Sequence, residues 1–271
     1  MTLAMLVARR ELREIVRDLN LLFPLLFLPC LMGCLISISA FMSFGGSNSA
    51  VGTAVTNAAL DQLPQPALQR FTNLPVNDRF ASVETLLKAL SIPVFWIIPV
   101  ALTPAIAADS FVGERERGSL EPLLATPIST RALLLGKVLA ATVPAVLGTW
   151  LGLAVFSVLI GVSRSPLYPR LVLADPDWRF SALVIVPLVA LLTAGVAALI
   201  SLRVTAYRVA YQLNGLIVLP VVLLLVPLTA FLFLVTPRAL LYVACLLGLV
   251  DLALAGWAVR EFDRERLLRG Q

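Results

Sequence analysis

Along this chain, long apolar runs alternate with short polar interruptions. About 30 Å of hydrocarbon is crossed at 1.5 Å per residue, so a spanning helix takes about 20 residues. Six runs meet that length: 21–44, 91–112, 133–162, 181–202, 213–235 and 239–259. The last two are separated only by Thr236, Pro237 and Arg238, which predicts a tight hairpin. The pattern predicts an all-α polytopic membrane protein with six transmembrane helices, forming a single transmembrane domain over 1–271.

The polar interruptions set the orientation. With six spans both termini share a side. That side would hold 1–20, 113–137, 203–212 and 260–271, with 14 Lys and Arg, against 7 for 45–90, 163–180 and 236–238. The positive-inside rule therefore makes both termini cytoplasmic. Within 1–20, the apolar positions Met5, Ala8, Leu12, Ile15, Val16 and Leu19 have helical spacing, with Arg9, Arg10, Arg13 and Arg17 collected opposite them. An apolar stripe beside an Arg-rich face suits an interfacial helix, serving as topology anchor or as docking surface. The SISA at 37–40 loosely resembles a signal-peptide cleavage site, but the long preceding segment and the length of the run favour an uncleaved first helix. The external segment 45–90 opens on a Gly/Ser/Asn exit and is expected to form a small helical cap; in 163–180, Tyr168 and Trp178 suit the interfacial aromatic belt.

Composition then excludes several chemistries. The chain is 59% hydrophobic and 14% charged, too apolar for a soluble domain. Its +5 charge is accounted for by cytoplasmic loops and gives no reason to expect nucleic acid. Histidine is absent, and Cys30, Cys34 and Cys245 sit inside apolar runs without metal or redox spacing. No HExxH and no Gly-x-Ser-x-Gly elbow is present, so no catalytic, cofactor-binding or metal site is expected on this chain. Two acids lie in or beside the spans. Asp109 sits one turn before the charged segment at 114–121, which suits a helix-end or interfacial role. Asp251 lies near the middle of the last run, where a charge costs about 2.5–3.5 kcal/mol. It calls for a structural partner, such as a hydroxyl on a neighbouring helix, or for ion or proton handling. Prolines inside the runs, including Pro24, Pro29, Pro99, Pro104, Pro220 and Pro227, mark hinges or ordinary membrane-helix usage.

One interruption is unusually organised. Residues 107–137 read AADSFVGERERGSLEPLLATPISTRALLLGK. If helical, Glu114, Arg117 and Glu121 pair along one face, each pair contributing only tenths of a kcal/mol. Gly118-Ser119 breaks one helix and caps the next, Pro122 sits in the tolerated first turn, and Thr126-Pro127 ends the piece. Leu120, Leu123 and Leu124 form a small apolar patch. An ordinary solvated loop needs neither the two breaks nor the leucines; a short rigid knob gripped by a partner needs both.

This segment resembles the signature region of the type-2 ABC-transporter permeases: an aromatic, a Glu-Arg stretch, Gly-Ser-Leu-Glu, a Leu pair, Thr-Pro, and Gly-Lys inside the next helix. The opening ARRELREIVRDLNLLFPLLFLP is similar to that family's N-terminus. The resemblance implies an ABC type-2 permease fold with an N-terminal interfacial helix and a cytoplasmic coupling helix after span two, within 113–130. It implies that Glu114, Arg115, Glu116, Arg117, Ser119, Leu120, Glu121, Leu123 and Leu124 dock a separate ABC ATP-binding subunit, present in two copies. It further implies a second permease copy, as a homodimer or with a related permease, in the cytoplasmic membrane of a bacterium or archaeon. The three-residue link between the last two spans departs from polysaccharide exporters and is closer to the layout of sodium-extrusion and drug-exporter permeases.

ATP and Mg would reside on the partner. The only Gly-Lys is Gly136-Lys137, with Arg131 and Val138 where a phosphate loop needs Gly and Ser or Thr, so this chain is not itself an ATPase. Two other classes remain open at this point. A gradient-driven secondary transporter would show inverted repeats and several buried charges; a non-transport anchoring or assembly component would keep the docking segment without an aqueous pathway.

Overall fold

A computed structural model describes residues 19–44, 91–113, 130–162, 175–201 and 238–261 continuously, and isolated positions at 9, 12, 13, 204 and between 209 and 229. All the described elements are helical. In chain order they are α1 (Leu19–Phe44), α2 (Ser91–Ala108), α3 (Thr130–Val162), α4 (Pro176–Ser201) and α5 (Ala239–Glu261). Among the described residues four helices are long and apolar enough to cross a membrane, and α1 holds a further apolar stretch, Phe23–Ile38. The described positions between 209 and 229 are helical as well. The segments 45–90 and 163–174, and most of 1–20, lie outside the described residues.

Contacts along the bundle fix the relative direction of each helix. α1 and α3 run parallel: Leu25 lies against Gly148, Pro29 against Gly152, and Gly33 against Gly152 and Val155. A Cβ on Gly33 would sit 2.7 Å from the Gly152 carbonyl oxygen, and one on Gly152 would sit 2.8 Å from that of Pro29. Lipid tails are as apolar as the helices, so association rests on van der Waals packing, and glycine lets two backbones approach. α2 runs antiparallel to α3, with Phe95 against Phe156 at one end and Ser110 against Lys137 at the other. α4 parallels α2, and α5 parallels α4: Leu240, Val243 and Leu247 share a cluster with Ile185 and Val186, whereas Ala258 meets Ala198 and Leu134 far down the bundle.

The helix ends differ from the pattern-based boundaries for local reasons. α4 starts at Pro176, ahead of the predicted 181, because Asp175 caps it: its carboxylate accepts from the Asp177 amide at 2.9 Å, and Pro176 fills the first turn. That early start turns Trp178 inward. It is 1% exposed, wedged edge-on to Phe95 at 5.7 Å and against Phe156 at 5.3 Å, so it belongs to the core rather than to the expected interfacial belt. Two cross-helix bonds tie the same end: Trp96 Nε1 donates to Ser181 Oγ at 3.0 Å, and Trp150 Nε1 donates to the Ala182 carbonyl at 2.9 Å. Tyr168 lies outside the described residues.

Candidate functional site

At the opposite end of the bundle the helices are joined by polar chemistry. α2 does not finish as an α-helix: Asp109–Gly113 forms a π-helical turn. Such turns cluster at functional positions because the wider hydrogen-bond spacing alters which carbonyls stay inside the ladder. Half-buried Asp109 opens the turn, and Ser110 and Val112 are buried within it. Lys137, seven residues into α3 and fully buried, reaches across to this turn. Its Nζ donates to the Ser110 carbonyl and, at 3.2 Å, to the Ser110 hydroxyl. A buried ammonium requires donors' partners of this kind, since an unsatisfied charge in an apolar interior is costly. Ala107, Ala141, Ala194 and Ala197 pack beside this contact, and their small side chains bring α2, α3 and α4 close together.

Ser110 and Lys137 bracket the charged segment: the chain leaves the described bundle at Gly113 and re-enters at Thr130. The residues expected to dock a partner, Glu114, Arg115, Glu116, Arg117, Ser119, Leu120, Glu121, Leu123 and Leu124, all fall between, outside the described residues. The structure therefore describes only the two helix ends that flank that segment. Neither Ser110 nor Lys137 stood out in the sequence as a working residue. The available signal was Lys137 itself, a lysine just inside the start of an apolar run.

Asp251 is not part of that junction. It lies about 18 Å along the axis from Ala239, near the middle of α5. It stands on the stripe that carries Leu240, Val243, Leu247 and Ala258, the face α5 turns toward its neighbours. Here it borders a cavity of about 420 Å³ between α3, α4 and α5, lined by leucine, valine, alanine and glycine. Its Oδ2 is buried and has no hydrogen-bond partner among the described residues. In α4 the hydroxyls of Thr193 and Ser201 donate to carbonyls of their own helix. Asp109 and Asp251 are thus separate sites, and among the described residues no group of three His, Cys, Asp or Glu could hold a metal ion.

The family model for ABC-2 family transporter proteins matches residues 5–244. No curated protein matches the chain.

Proposed function

The chain belongs to the ABC-2 transporter family, and from that premise we propose that it is the permease subunit of an ATP-driven exporter. Proteins of this family are the membrane component of their transporters and work with an ATP-binding subunit; the chain is an embedded membrane protein with several apolar helices. The family match over 5–244 carries the reading.

In this reading six helices cross the cytoplasmic membrane of a bacterial or archaeal cell with both termini inside. The helix directions support it: α4 and α5 run parallel, so the intervening chain must return across the bilayer, and the 213–235 run is long enough to do so. Two permease copies, identical or related, enclose the pathway, and two ATP-binding subunits sit below. The coupling helix lies within 113–130. Glu114, Arg115, Glu116, Arg117, Ser119 and Glu121 set its orientation against the partner by charge and hydrogen bonding. Leu120, Leu123 and Leu124 anchor it. ATP and Mg stay on the partner.

The bundle's polar junction gives this reading a mechanical part. A displacement of the coupling segment acts on α2 and α3 together, because Lys137 fastens the end of one to the start of the other. Packed helices transmit such a displacement as rigid bodies. Tagged protein purified in mild detergent is expected to bring down a Walker-type ATPase, and a variant carrying E114A, R117A and L120A is expected to lose it. Wild-type protein that recruits no ATPase, even after crosslinking in membranes, would overturn the proposal.

A further inference from the structure

We propose that the cavity between α3, α4 and α5 is a binding site for a monovalent organic cation with an apolar body, held by the Asp251 carboxylate. The proposal concerns binding and stands apart from the coupling to an ATP-binding subunit.

Three observations combine. The cavity, about 420 Å³, falls in the size range of small-molecule sites. Its wall is apolar apart from one acid, whose Oδ2 is buried and unpartnered among the described residues. Leu135 and Leu252 line it and are 52% and 73% exposed, so it opens sideways on the bundle surface, where the bilayer would lie. A half-buried acid with an unpartnered inner oxygen either stays neutral or meets a cation, and in surroundings of low dielectric a charge partner is worth far more than in water.

The donor set selects the kind of cation. Small inorganic cations demand several oxygen ligands, six or more for calcium and a near-octahedral shell for magnesium. The lining contributes one carboxylate, with Leu134, Val138, Leu191, Gly195 and Ala198 around it, and no second side-chain oxygen among the described residues. A cation that carries its own apolar substituents needs no such shell. Its hydrocarbon or aromatic body fills the leucine- and alanine-lined space while its charge sits near Asp251. Lateral access suits a molecule that first partitions into lipid.

The test is binding of tritiated tetraphenylphosphonium to the purified full chain in dodecyl maltoside, with no ATPase and no nucleotide present. A failed ATPase pull-down therefore leaves this result untouched. Saturable binding is expected, with the neutral isostere tetraphenylsilane at least tenfold weaker as a competitor. Asp251→Asn keeps the shape and removes the charge; at least a tenfold loss of affinity is expected. Gly195→Leu keeps the acid and fills the cavity. A Cβ at Gly195 meets nothing within 4 Å, so the backbone tolerates the change, and binding is again expected to fall at least tenfold. Should the Asn variant fail to fold, the leucine variant and the charged-versus-neutral comparison on wild type decide. Absence of saturable binding, equal competition by the neutral compound, or unchanged affinity in either folded variant would overturn the proposal.

Discussion

The two ends of this bundle are built on different principles. At one end Phe95, Phe156 and Trp178 interlock, two indole N–H groups bridge helices, and glycines press α1 against α3. Toward the other end the helices meet through alanines, a buried lysine and a π-helical turn, and a cavity reaches from there to Asp251, whose Oδ2 has no partner among the described residues. The first end has many dispersion contacts and little slack, which is what holds helices together in lipid. The second has buried polar groups, whose desolvation costs stability. The contrast teaches that tight apolar packing and buried polar chemistry are segregated along the bundle.

That contrast predicts which substitutions damage folding and which damage function. Trp178→Ala should be the most destabilising, by about 3 kcal/mol, because it voids the centre of the aromatic cluster; unfolding in mixed micelles measures it, and a loss below 1 kcal/mol would argue against a clamped end. Gly152→Ala should cost about 1–3 kcal/mol, since the new methyl group meets the Pro29 carbonyl and the helices must part. Lys137→Met should shift stability by about 1 kcal/mol or less, in either direction, because removing a buried charge also removes its desolvation cost. The same variant should uncouple the protein, lowering transport per ATP hydrolysed while the ATPase still co-purifies. Equal loss of stability and coupling would make Lys137 simply structural. Ser181→Ala should be the mildest, about 0.6 kcal/mol, the typical size of an interhelical bond in a membrane.

Much of the architecture was legible because the bilayer imposes it. A 30 Å apolar slab admits few element lengths, so apolar runs mark where α1 to α5 lie to within a few residues. What was not legible depends on neighbours. Asp175-Pro176 is a recognisable cap, yet its polar residues hid the true start of α4 and with it the inward turn of Trp178. π-helical turns leave no compositional mark, so neither Asp109–Gly113 nor Ser181–Ile185 could be anticipated. Asp251 was conspicuous as a charge in an apolar run. The cavity beside it was not, because it arises where Gly195 and Ala198 of one helix face Gly248 and Ala255 of another. Lys137 was visible too, but only tertiary structure supplies Ser110 as its partner, 27 positions away.

The π-helical turn at the end of α2 also works as a phase setter. An α-helix turns about 100° per residue, and a π-turn accommodates one residue more than the α-helical ladder. Deleting a single residue from Asp109–Gly113 would therefore restore the ladder with little change of phase: the turn takes up a residue that would otherwise rotate the end of α2 by about 100° relative to the bundle. The angle at which the chain leaves the described bundle at Gly113 is thus set by five residues within it.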